Sequence, residues 1–193
     1  MLILSLAFIF FIVANPIGNG PVMLAIIKDF DYQHQKRIMW RESVFAFFLA
    51  LFFQFFGEVF LGTLHVAPYT LTYCGGILLF LVAISMIFPV LPEQVARAKK
   101  EPFFVPIATP LISGPGLMTV IMAKSQDITD WWVITAAIAL SWIPVTFALV
   151  GAPMMLKVLK RRGMIALEQL MGMILMLISV EMFVSATMKY INS

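Results

Sequence analysis

The amino-acid sequence predicts an all-α, polytopic membrane protein: six transmembrane helices in two inverted three-helix repeats, the first helix of each repeat broken. Three observations carry this. Of 193 residues, 62% are hydrophobic and 12% charged, with a mean hydropathy of +0.98, whereas soluble domains carry about 25% charged residues. Apolar stretches of the ~20 residues that a bilayer core requires recur along the chain. Basic residues concentrate in every second connection, the asymmetry that orients membrane helices.

The six spans read in order as residues 2–28, 39–61, 68–90, 102–124, 131–156 and 164–188. The first lacks a basic leader and an A-x-A site, so it is expected to be a retained helix and not a signal peptide. Trp40, Trp131 and Trp132 stand near span starts, where an indole anchors at the lipid–water interface. Fourteen methionines and eighteen phenylalanines read as gap-filling and lipid-facing packing, not as a ligand surface. Cys74 is the one cysteine, which excludes an internal disulfide. The net charge of +3 comes with no dense basic stretch interleaved with aromatics, so no nucleic-acid partner is expected.

Lys and Arg set the orientation. Eleven of the 13 lie in three alternate connections: Lys28, Lys36, Arg37 and Arg41; Arg97, Lys99 and Lys100; Lys157, Lys160, Arg161 and Arg162. The opposite side holds Lys124 and Lys189. The positive-inside rule makes the basic side cytoplasmic and puts both termini on the outer, periplasmic side of an inner membrane. The least apolar connection, PVLPEQVARAKKEP at 89–102, falls almost at the midpoint. One transmembrane domain over 1–193 then divides into repeat one (1–90), a cytoplasmic connector (91–101) and repeat two (102–193). Three spans per repeat force the second to be inverted.

A shift of 94 residues lays NPIGNGP (15–21) on TPLISGP (109–115), matching Pro16 with Pro110, Gly20 with Gly114 and Pro21 with Pro115. Asn15 meets Thr109 and Asn19 meets Ser113. A shift of 96 lays GILLFLVAISM (76–86) on GMILMLISVEM (172–182). Proline removes an amide hydrogen and clashes with the preceding turn, so Pro16, Pro21, Pro110 and Pro115 are read as helix-breaking. Freed backbone groups in hydrocarbon cost several kcal/mol each unless protein, water or ligand satisfies them. Amides opened at the start of the second half-helix suit an anion, and carbonyls at the end of the first suit a cation. Asn15, Gly18, Asn19, Gly20, Thr109, Ser113, Gly114 and Gly116 are therefore the expected substrate-binding residues. Paired broken helices near the midplane are the arrangement of a secondary transporter. The plainer alternative is two proline kinks that only help helices pack.

Ionisable residues within spans are costly and mark function or local pairing. Glu42 and Glu168 are the candidates for coupling to H⁺ or Na⁺, with an ion pair to Arg41 as the local alternative for Glu42. Glu181 and Lys189 read as snorkelling groups, Glu58 and Asp127 as outer-loop groups, and Gln54 as an interhelical hydrogen bond. His34 and His65 read as loop residues, and no His, Cys or carboxylate cluster has metal-ligand spacing. Ser113 in ISGPG is not a nucleophile elbow. No enzyme, metal or cofactor is expected.

ANPIGNGPV near the N-terminus, WRES at 40–43, GGILLFLVAISMIFP (75–89), EPFFVPIATPLISGPG (101–116) and ALEQLMGMILMLISVEMF (166–183) together resemble the MarC family, over nearly the whole chain. That family is also described as six-span neutral amino acid transporters. The resemblance implies an integral inner-membrane protein that transports small neutral amino acids such as glycine or alanine. Its name derives from a link with antibiotic resistance. Carried over by motif, it draws attention to Asn15, Pro16, Gly18, Asn19, Pro21, Pro110, Ser113, Gly114, Pro115, Glu42 and Glu168. Gly20 departs from the pattern, which leads one to expect a bulkier apolar residue there. The sequence thus predicts a secondary transporter of small solutes in the lipid bilayer, able to form homo-oligomers. A passive channel or a non-transporting structural or regulatory membrane protein are the alternatives.

Overall fold

The computed structural model describes residues 1–27, 30–63, 67–88, 114–128 and 130–191. They form six helices: α1 (Leu2–Ala14), α2 (Pro16–Ile26), α3 (Tyr32–Thr63), α4 (Pro68–Ile87), α5 (Pro115–Asp127) and α6 (Trp131–Ile191). No strand occurs among the described residues. Five segments are long and apolar enough to cross a membrane: Leu2–Gly20, Tyr32–Gly57, Tyr69–Ile87, Trp131–Met155 and Arg162–Ile191. Helix α5 has 13 residues, about 20 Å of rise, short of the ~30 Å hydrocarbon core. It is the described part of the fourth span; residues 102–113 lie outside the described residues.

Helix α6 holds the fifth and sixth spans in one run of 61 residues, which would reach about 90 Å if straight. It turns back on itself. Lys189 near its end pairs with Asp127, four residues before its start at Trp131. A Cβ on Gly20 would stand 3.5 Å from Ala152 Cβ and 3.8 Å from Met164 Cε, although those two residues would be ~18 Å apart along a straight helix. A Cβ on Gly163 would lie 2.9 Å from Leu159 Cβ, where a regular turn separates such atoms by about 5–6 Å. The reversal therefore falls at the basic connection, between the two predicted spans.

Helix α3 turns mostly small or polar residues inward and large apolar ones outward, the reverse of a helix in a soluble bundle. On α3, Met39, Ser43, Ala46, Ala50, Gln54 and Gly57 are buried, while Phe45, Phe48, Phe52, Phe55 and Phe56 are exposed. Both sets recur at three- and four-residue intervals, one helical face each. With lipid outside, the inner face packs through close approach and hydrogen bonds. Ser43 Oγ and Thr146 Oγ1 stand 2.7 Å apart, and Trp142 Nε1 donates to Ser43 O. The interhelical bond expected of Gln54 forms: its Nε2 donates to Trp131 O and Thr135 Oγ1. These contacts run α3 antiparallel to the first half of α6.

Helix α4 runs antiparallel to the second half of α6 across two glycines. Ser179 Oγ donates to Gly76 O at 2.9 Å. A Cβ on Gly76 would meet Ser179 O, Met182 Cβ and Phe183, and one on Gly172 would meet Ala83 O, Met86 Cβ and Ile87. Adding 96 to residues 76, 83, 86 and 87 gives 172, 179, 182 and 183. The two glycines thus hold corresponding contacts, atom type for atom type at the carbonyl and the Met Cβ. Helices α1, α2, α3 and α4 all pack on α6, and α5 packs on α4, α3 and α1. This packing gathers the start of α3, the end of α4 and the turn of α6 at one end, here the basic end. Thr63, Asp127, Trp131 and Lys189 lie toward the other, the far end.

Candidate functional site

The break in the first span is one residue wide. Pro16 bars the right-handed helical region to the residue before it, and Asn15 takes the left-handed conformation, φ 47° and ψ 51°. Among the described residues no other non-glycine has positive φ, and Asn is among the few residue types that tolerate it. Asn15 ends α1, its own N–H reaching Phe11 O and Ile12 O, and caps α2. Its Oδ1 accepts from Gly18 N at 3.2 Å, and its Nδ2 donates to Met86 Sδ at 3.0 Å. Asn19 Nδ2 returns to Ala14 O at 3.3 Å.

Both asparagines therefore serve the break itself. The Gly18 amide predicted to meet an anion is taken by the Asn15 carboxamide, and the Ala14 carbonyl predicted to meet a cation is taken by Asn19. Asn15 is 1% exposed, and a Cβ on Gly18 would run into Met86 Cε and the Asn15 amide. Pro16 is the first residue of α2, as a helix-breaking proline should be. Pro21, also predicted to break the helix, lies inside a continuous α2. Its missing N–H removes only the bond to Ile17 O, and one lost bond leaves the rest of the turn in place. Gly20 is buried with ordinary spacing to α6.

At the second predicted break, Gly114 precedes α5 with extended backbone and Pro115 is its first residue. Gly116 is buried against Leu79, and Thr119 Oγ1 donates to Gly116 O while standing over Gly75. Thr109, Pro110 and Ser113 lie outside the described residues, as does the connector at 91–101. Helices α2 and α5 point to opposite ends, α2 toward Ala152 and the basic end, α5 toward Lys189 and the far end.

Glu42 is buried on α3, with Arg41 Nη2 2.8 Å from its Oε1, the local ion pair anticipated for it. Glu168 is half-buried on α6 beside Gln169, whose Nε2 donates to Ile87 O. The two carboxylates lie on different helices, and among the described residues no hydrogen bond or ion pair joins them. His34, expected in a loop, belongs to the first turn of α3 and stacks on Phe30. No group of His, Cys, Asp or Glu among the described residues has the disposition of a metal site.

The far end holds a feature the sequence reading missed. A cavity of about 330 Å³ opens between α1, α4, α5 and α6. Thr72, Lys124, Asp127, Glu181, Ser185 and Lys189 supply its polar lining, and Ile9, Val120, Ala123 and Ile178 are among its apolar walls. Asp127, expected in a loop, is the last residue of α5 and pairs with Lys189. Lys124 and Asp127 share one face of α5 at i, i+3; Glu181, Ser185 and Lys189 share one face of α6 at i, i+4. That periodicity was available in the sequence; the meeting of the two faces was not.

A family model described as "MarC family integral membrane protein" matches residues 1–191. The chain belongs to the MarC family. The MarC chain is 34% identical over 184 residues to the UPF0056 inner membrane protein YhgN of Escherichia coli K12, covering 94% of this chain and 93% of that one. It is 33% identical over 183 residues to a UPF0056 membrane protein of Buchnera aphidicola from Acyrthosiphon pisum, covering 94% and 93%. A UPF0056 membrane protein of Chlamydia pneumoniae is 31% identical over 185 residues, covering 94% and 92%. No solved structure matches the chain. The resemblance drawn from the five motifs is thereby established at the level of family, and the MarC protein is an integral membrane protein.

Proposed function

We propose that this MarC protein is a secondary transporter of small solutes, with neutral amino acids such as glycine and alanine as the class it takes. The observation that carries the reading is the buried, left-handed break at Asn15. A membrane helix gains nothing in stability from such an interruption; each strained residue of this kind costs about 1–3 kcal/mol and recurs at switch regions and ligand clamps. Here the Gly18 amide and Ala14 carbonyl are held by side chains that rotate on single bonds. A substrate carboxylate can replace Asn15 Oδ1 on the amide, and a substrate ammonium can replace Asn19 Nδ2 on the carbonyl.

Alternating access follows from the two half-helices, α2 directed to one end and α5 to the other. The matched contacts of Gly76 and Gly172 support an inverted repeat, and the same shift carries Thr72, at the far-end cavity, onto Glu168, toward the basic end. With the basic end cytoplasmic, both termini face the periplasm. Glu42 and Glu168, both toward that end, are the groups proposed to couple flux to H⁺ or Na⁺; no cofactor or catalytic step is involved, and the partners are the solute, the lipid bilayer and further copies of the chain. The test is uptake of labelled glycine and alanine into proteoliposomes under a proton or sodium gradient. Accumulation above equilibrium supports the reading. Equilibration alone identifies a passive channel, and no flux identifies a structural or regulatory protein. Asn19→Leu and Ser113→Leu are expected to abolish uptake while leaving folded protein in the membrane; undiminished uptake by both refutes the site.

A further inference from the structure

The far-end cavity brings four ionic groups together on two helices, and they are not equivalent. Asp127 and Lys189 neutralise one another in a direct ion pair that ties the end of α5 to the end of α6. Lys124 and Glu181 make no ion pair or hydrogen bond among the described residues, yet both line the same cavity. One is a half-buried ammonium on α5, the other an exposed carboxylate on α6. Ionisable groups within membrane spans that face a cavity mark a ligand pathway or a relay. Two of opposite sign facing one cavity, 57 residues apart in sequence, are complementary to a molecule that carries both signs itself.

We propose that this cavity binds a small zwitterion, with the ligand's anionic group on Lys124 and its ammonium on Glu181. The volume of about 330 Å³ equals on the order of ten waters at about 30 Å³ each. That holds a compact solute with part of its hydration, not a bulky one. Thr72 on α4 and Ser185 on α6 offer hydroxyls that can donate or accept. Ala123, Val120 and Ile9 offer an apolar wall for a short aliphatic side chain. The site stands apart from the Asn15 break, which closes on Met86 near the other end of α4, so it would hold the solute at the far mouth before or after passage through the middle.

The same chemistry, an ammonium and an anion a few bonds apart, occurs in a neutral amino acid and in a phosphatidylethanolamine headgroup. Choosing the amino acid rests on the transport reading above; the zwitterion site itself does not. The experiment is calorimetric titration of the purified chain in phosphatidylglycerol nanodiscs with alanine, alaninamide and N-acetylalanine, repeated in nanodiscs containing phosphatidylethanolamine. Lys124→Met and Glu181→Gln each remove one charge. The exchanged pair, Lys124→Glu with Glu181→Lys, restores both with the orientation reversed.

Alanine is expected to bind saturably, alaninamide and N-acetylalanine not. Each single variant weakens alanine binding about tenfold or more, the scale of one hydrogen bond to a charged group. The exchanged pair recovers part of that loss, as a site that needs one charge of each sign requires. If phosphatidylethanolamine alone binds, and the same variants abolish it, the zwitterion site stands with a lipid as its occupant; uptake in proteoliposomes then judges transport separately. If alanine binds equally to wild type, Lys124→Met and Glu181→Gln, the cavity is not the site, whatever the flux. Binding of neither alanine nor phosphatidylethanolamine also overturns the proposal.

Discussion

Replacing Asn15 by glycine and by alanine separates the left-handed break from an ordinary proline kink. Both substitutions remove Oδ1 from Gly18 N–H and Nδ2 from Met86 Sδ, so that loss, about 1–3 kcal/mol for a buried amide left without its acceptor, is common to the two. What differs is φ. At 47°, alanine bears the left-handed penalty of about 1–2 kcal/mol that glycine escapes. In a right-handed helix the order reverses, because glycine is there about 1 kcal/mol worse than alanine. The structure therefore predicts that Asn15→Gly is more stable than Asn15→Ala by about 1–2 kcal/mol. A continuous kinked helix predicts the opposite sign. The assay is unfolding of both variants in mixed micelles by increasing SDS fraction, followed by tryptophan fluorescence. Asn15→Ala matching or exceeding Asn15→Gly in stability would refute a left-handed break.

Two further substitutions and one cross-link follow from the same packing. Gly18→Ala places a methyl against Met86 and the Asn15 amide and should cost about 1–3 kcal/mol by overpacking, read in the same SDS titration. Gly20→Ala meets only ordinary contacts with Ala152 and Met164 and should raise stability by about 0.4–1 kcal/mol, since alanine narrows the unfolded ensemble. Ser43→Cys with Thr146→Cys, in a Cys74→Ser background, replaces hydroxyl oxygens 2.7 Å apart. Copper phenanthroline should form an intramolecular disulfide, seen as a mobility shift on non-reducing gels; no shift would contradict the antiparallel pairing of α3 with α6.

What the sequence made legible was what local chemistry decides. Span positions follow from apolar length, and the first break from a proline whose predecessor must leave the helix. The common end of the basic loops follows from charge alone. Pro21 misled because a proline is a strong breaker only where nothing else holds the turn, and α2 packs on α6. The asparagines were read as facing a substrate because polarity inside a span signals a partner; that each could be partnered within five residues depends on rotamers no pattern displays. Asp127, Lys189, Lys124 and Glu181 looked like peripheral charges taken one at a time. Only the fold-back of α6, which returns its end to the start of the same helix, brings them to one cavity.

The central claim is that a small neutral amino acid moves through this chain by way of the breaks. Solute counterflow tests it without knowledge of the coupling ion: proteoliposomes loaded with millimolar unlabelled alanine are diluted into trace labelled alanine. The account predicts a transient overshoot of label above equilibrium, abolished by Asn19→Leu. Label that never exceeds its level in protein-free liposomes, with folded protein verified in the membrane, would contradict it.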